Sequence, residues 1–128
     1  MSNLNSTYNR AVRFDIPVSD LDRATVFYSA VLDVKIHRQE ADGVVYCILE
    51  SQGGNNGCLI PNKEEVSSNA GILLYMNVDR RIRDAVRKVE DHGGKVIQRI
   101  HSIAPHGYRA VVLDSEGNRI ALHSTEDA

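Results

Sequence analysis

The chain has 128 residues, 42% hydrophobic and 25% charged, with a formal net charge of -2 at pH 7. That length supports one domain with a real core and is too short for two independent ones. Lys and Arg are interleaved with Asp and Glu, so no nucleic-acid footprint stands out. No run approaches the ~18 apolar residues that span a bilayer, and the opening MSNLNSTYNR lacks the apolar stretch of a signal peptide, so a soluble cytoplasmic protein is expected.

In AVRFDIPV the apolar residues Val12, Phe14, Ile16 and Val18 alternate with Arg13, Asp15 and Pro17, the period-2 pattern of a strand with one buried face. Ser19 or Asp20 then caps a helix whose stripe is Leu21, Ala24, Phe27, Tyr28, Val31 and Leu32. VKIHR and GVVYCILES read as two strands joined by the turn residues Ala41, Asp42 and Gly43, and the cluster GGNNG leads into the short strand CLI. Cys47 and Cys58 lie in these apolar segments without metal-ligand spacing and are expected to be buried reduced thiols.

From Gly71 the order starts again. GILLYMNV places Ile72, Leu74, Met76 and Val78 on one face, and Asp79 can cap a helix with the stripe Ile82, Ala85, Val86 and Val89, which stops at Gly93 and Gly94. The strands KVIQRIHSI, YRAVVLD and RIALHS follow, the last two joined by a hairpin at Ser115 to Asn118 in which Gly117 supplies a positive φ. A slide of about 60 residues lays Phe14, Ile16 and Val18 on Leu74, Met76 and Val78, so one βαβββ unit is used twice. The expected organisation is a first module over 11–60, a linker over 61–70 and a second module over 71–124.

IPVSDLDRATVFYSAVLDV and GYRAVVLDSEGNRIALHS, with the paired βαβββ order over residues 11–124, resemble the vicinal oxygen chelate superfamily, which includes glyoxalase I, bleomycin-resistance proteins and extradiol dioxygenases. The resemblance implies an α+β fold in which two modules form a cup-shaped mixed sheet, with helices on the outer face and ligand in the cup. Strand alternation then turns Arg13 and Asp15, Leu73, Tyr75 and Asn77, and Ala121 and His123 towards the cup. Metal-using members are similar in taking one ligand, usually His, Glu or Gln, from each of four strands. Those positions fall here on Arg13, near Cys58, on Leu73 and on Ala121, which argues against a metal or other cofactor, because Arg, Leu and Ala offer no lone pair.

The residues expected to bind ligand are therefore Arg13, Asp15, Cys58, Leu73, Tyr75, Ala121 and His123, with Asp15 and His123 as the candidate catalytic pair. Asp15 is either a base or ligand contact in the cup or half of a salt bridge with Arg13. His123 is either a proton acceptor or a wet residue at its strand's end. Tyr75 is either packing or an acid, and Cys58 is a nucleophile only with a base and solvent access. His92 suits the end of its helix, and His37, His101 and His106 receive no role. Three functions stay open: a metal-independent enzyme or binding protein for a small organic molecule, an antibiotic-sequestering protein, and a metal-dependent lyase or isomerase with displaced ligands. A homodimer is expected, because βαβββ cups expose sheet edges and members of the superfamily commonly complete their sites across a dimer interface.

Overall fold

A computed structural model describes residues 10–51 and 53–128. Strand β1 (Phe14–Val18) leads into helix α1 (Leu21–Leu32), followed by β2 (Ile36–Ala41), β3 (Val44–Leu49) and β4 (Gly57–Pro61). The second unit repeats the order as β5 (Leu74–Asn77), α2 (Ile82–Asp91), β6 (Lys95–Ser102), β7 (Tyr108–Leu113) and β8 (Arg119–Ser124). Each unit closes its own four-stranded mixed sheet, in the orders β1-β4-β3-β2 and β5-β8-β7-β6. The pairs β1 with β4 and β5 with β8 are parallel, and the hairpins are antiparallel.

The helices form where the sequence periodicity places them. Asp20 accepts from the Arg23 N–H at 3.0 Å and so caps α1, whose Ala24, Phe27, Tyr28, Val31 and Leu32 are buried. The turn between β2 and β3 has positive φ at Asp42 and Gly43, the two-residue hairpin geometry that matches strand twist. Helix α2 buries Ile82, Ala85 and Val89, but Asp79 does not cap it. The helix begins after Arg81 without a side-chain cap, and Asp79 instead accepts from the Thr125 N–H at 2.7 Å and the Thr125 hydroxyl at 2.6 Å. Those bonds hold its carboxyl below the usual range and tie down the C-terminal segment. Ile72 is also misplaced by the alternation pattern: β5 starts at Leu74, and Ile72 is 93% exposed. The 61–70 segment is not wholly irregular, since Lys63–Glu65 forms a single 3-10 turn.

One core joins both units. Ile16, Val18, Leu59, Met76, Val78, Val112, Ile120 and Leu122 face the helices and pack with both helical stripes. Polar contacts lock the units together on the same side. Glu116, in the β7–β8 hairpin, accepts from the Ser19 and Asp20 N–H groups at 3.0 and 2.7 Å and pairs with Arg23 at 2.7 Å. The Tyr28 hydroxyl donates to the buried Asp114 at 2.5 Å, and the Asn118 side chain donates to the Pro17 carbonyl at 2.7 Å. Burial first, and then the Asp114 charge, pushes the Tyr28 phenol well up, so it stays a neutral donor.

Candidate functional site

With the helices packed on one face of the sheets, the other face presents the alternate side chains. Ile48, Cys58, Val111 and Ala121 are buried yet stand apart from the helix-side core, so this opposite face has an apolar floor. Around that floor stand two polar groups, one on each sheet.

The first group is on β1 and β4. Arg13 Nε donates to Asp15 at 2.8 Å, with side-chain exposures of 36% and 52%. Asp15 is thus the exposed half of an ion pair, one of the two roles its sequence allowed. Asp15 faces Cys58 across the ladder. Cys58 has no exposed surface, and burial foremost pushes its thiol up despite the opposing influence of Arg13, which disfavours the thiolate a nucleophile needs. Cys47 lies on the helix side and receives the Thr25 hydroxyl at 3.4 Å.

The second group is on β5 to β8. Tyr75, 45% exposed, and His123 approach with ring centroids 6.3 Å apart. Arg109, which the sequence reading missed, joins them. It donates from Nη1 to the Tyr75 hydroxyl at 2.5 Å and from Nε to His101 Nε2 at 3.0 Å, with its guanidinium carbon 5.9 Å from the Tyr75 ring centre. His123 Nε2 donates to the His106 carbonyl at 2.6 Å, which fixes the ring on the 103–107 loop. Arg109 was findable: the hairpin at 115–118 sets Leu113 opposite Arg119, and counting back puts Arg109 opposite His123.

No hydrogen bond or ion pair joins the two groups among the described residues. Asp15 lines a cavity of about 510 Å³ between β1, the 65–72 segment and the start of β8, whereas Tyr75 lines a separate cavity of about 220 Å³. Phe14, whose ring lies over Gly57, is common to both. Arg13, Cys58, Leu73, Ala121 and His123 line neither. Arg119 borders the larger cavity, with its Nε buried and without a hydrogen-bond partner. His92 receives its expected structural place, since its Nδ1 meets the Lys88 carbonyl at 2.9 Å at the end of α2. His37 lies 3.7 Å from Glu50.

The architecture and the open polar face define a class, and comparison with known proteins identifies it. Residues 10–122 match the sequence profile of the Glyoxalase/Bleomycin resistance protein/Dioxygenase superfamily, and the chain belongs to that family. No curated protein sequence matches it. Solved structures share the fold at low identity. A hypothetical protein from S. aureus is 22% identical over 89% of this chain and 92% of its own, with a TM-score of 0.68. A glyoxalase/bleomycin resistance protein/dioxygenase family enzyme from Burkholderia phytofirmans PsJN is 19% identical, with coverages of 88% and 96% and a TM-score of 0.69. The fosfomycin resistance protein FosX from Listeria monocytogenes is 10% identical, with coverages of 91% and 93% and a TM-score of 0.68.

The residues do not fit the metal that many members of this superfamily hold. At the positions the family resemblance marks for ligands, the first carries a guanidinium already donating to Asp15, and the third and fourth carry the hydrocarbon side chains of Leu73 and Ala121. Asp15 and His123, the displaced alternatives, supply two donors, fewer than the three or more a catalytic metal site wants. Among the described residues no three His, Cys, Asp or Glu side chains are grouped so as to hold a metal ion. No helix among them is long and apolar enough to cross a membrane.

Proposed function

We propose that this chain binds a small organic molecule on the sheet face opposite its helices, and that any chemistry there runs on protein side chains. The observation that carries this reading is the make-up of that face. Buried Ile48, Cys58, Val111 and Ala121 form an apolar floor, flanked by the Arg13–Asp15 pair and by Tyr75, Arg109 and His123. An apolar surface with a few convergent polar groups is the usual composition of a small-molecule site. Asp15 and His123 are the proton-exchanging groups in this reading, and Arg13, Leu73, Tyr75 and Ala121 complete its walls.

We propose also that two copies associate. Strands β2 and β6 end their sheets as edges, and Val44 and Ile97, near those edges, are 49% and 46% exposed, a combination that favours a covering partner. A homodimer by sedimentation at micromolar concentration is expected, and a monomer there overturns it.

Elemental analysis of protein purified without chelator tests the side-chain reading. Substoichiometric transition metal is expected. Near one equivalent of zinc, nickel, iron or manganese would restore the metal-dependent lyase or isomerase reading.

A further inference from the structure

Arg109 is a half-buried cation without a counter-ion. No carboxylate pairs with it among the described residues, and the remaining ten, residues 1–9 and 52, include neither Asp nor Glu. Its neighbours hold it in place without neutralising it. His101 Nδ1 meets the Arg99 carbonyl at 2.8 Å and therefore carries the proton, which leaves Nε2 as the lone-pair acceptor for Arg109 Nε at 3.0 Å. Tyr75 accepts from Nη1 at 2.5 Å and keeps its own O–H to donate. A guanidinium has five N–H donors, and these two bonds use one on Nε and one on Nη1. One N–H on Nη1 and both on Nη2 remain without a partner among the described residues, enough to meet a carboxylate with two bonds.

The floor beside these donors is apolar. Val111 and Ala121 are paired across β7 and β8, Ala121 is paired with Tyr75, and both small side chains are buried. Tyr75 also walls the cavity of about 220 Å³. A charged fork at one end of an apolar floor suits an amphipathic anion.

We propose that Arg109, positioned by His101 and assisted by the Tyr75 hydroxyl, is the subsite for the carboxylate of an organic acid whose apolar part lies beside the exposed Tyr75 ring. This deepens the small-molecule reading of the same face and rests on it. One guanidinium flanked by a neutral imidazole and a phenol matches a single negative charge. A carboxylate, a planar monoanion, is therefore preferred over inorganic phosphate, which near neutral pH is a mixture of monoanion and dianion.

Titration of the 15N-labelled protein with benzoate, benzamide and inorganic phosphate, followed by amide chemical shifts, tests it. Benzoate is expected to shift residues 109–111, 121–123 and 75 saturably, with benzamide and phosphate each about tenfold weaker or worse. Arg109→Gln should weaken benzoate about tenfold or more, and Arg109→Lys, which keeps the charge and loses the fork, should weaken it measurably. Unchanged peak dispersion in both variants shows that they fold, and Tyr75→Phe gives an independent loss if either does not. Equal binding of benzoate and benzamide, an unaffected Arg109→Gln, or phosphate binding as tightly as benzoate would overturn the carboxylate assignment while leaving a small-molecule face in place. Absence of any shift on this face with all three probes would overturn both.

Discussion

Replacing Glu116 with alanine should cost about 2–3 kcal/mol of folding stability, because two backbone donors at the entrance to α1 lose their acceptor together. The Glu116 side chain has no exposed surface and accepts the Ser19 and Asp20 N–H groups at 3.0 and 2.7 Å, at the entrance to α1. Each stranded donor costs roughly 1–1.5 kcal/mol. The ion pair adds less, since Arg23 is 51% exposed and can rehydrate. At roughly 3–5 °C per kcal/mol for a domain of this size, the melting temperature should fall by about 6–15 °C. Urea denaturation followed by circular dichroism at pH 7 measures the free energy, with Arg23→Ala as the companion. If Glu116→Ala loses no more than Arg23→Ala, the carboxylate is only a surface ion-pair partner and the reasoning fails. The acid limb gives a second check. Burial is the largest single influence on Glu116 and pushes its carboxyl up, but the bonds from Arg23, the Asp20 N–H and Ser115 together outweigh it and leave the group below its ordinary 4.5. A depressed carboxyl contributes stability that is fully present above 4.5 and disappears as pH falls through the folded value. The gap between wild type and Glu116→Gln should therefore narrow below that pH.

Tyr28→Phe should cost about 1–2 kcal/mol in the same assay, since the Asp114 carboxylate loses a buried donor but keeps the Asn118 side chain and the Glu116 and Asn118 N–H groups; a change under about 0.5 kcal/mol would count against that bond. Gly94→Ala should destabilise by about 2–3 kcal/mol, because its Cβ would sit 2.5 Å from the Leu113 carbonyl oxygen and 2.8 Å from both Phe27 and Val89; a melting temperature within about 2 °C of wild type, roughly half a kcal/mol for this size, would show that the backbone yields. Asp15→Asn should change stability by less than about 1 kcal/mol, as its pair with Arg13 is exposed, and weaken binding of small-molecule ligands; a larger stability loss with unchanged binding would make the pair structural.

Much of this fold was legible because burial follows simple periods. The α1 stripe is buried at Ala24, Phe27, Tyr28, Val31 and Leu32, as the spacing requires, and the hairpin turns sit on their glycines. Local reading failed where a distant partner decided the outcome. Asp79 has the position of a helix cap, yet Ser124 and Thr125 claim its Oδ1. Glu116 resembles a plain hairpin residue until α1 from the other unit is brought against it. Gly93 does have a left-handed φ, but Gly94 is required for its close approach to Leu113, which no local pattern shows. In the candidate site, Tyr75 and His123 followed from alternation. Arg109 was missed because Ala110, Val111 and Val112 after it are buried on both faces of β7, so alternation alone does not orient it, whereas the count through the β7–β8 hairpin does.

The bonds that cross between the halves give the duplicated architecture an unequal dependence. The hairpin of the second half provides Glu116 and Asp114 to α1 of the first, while the first half returns the Val31 carbonyl, which accepts Arg81 at 2.6 Å. A proteolytic nick within 61–70 would leave these contacts in place, so the two fragments should stay associated and melt as one body. Expressed alone, the second half would leave Glu116 without its α1 donors and Asp114 without the Tyr28 hydroxyl, with an apolar flank exposed where α1 had been. Duplication has left the repeats similar in outline, but each now needs the other to complete it.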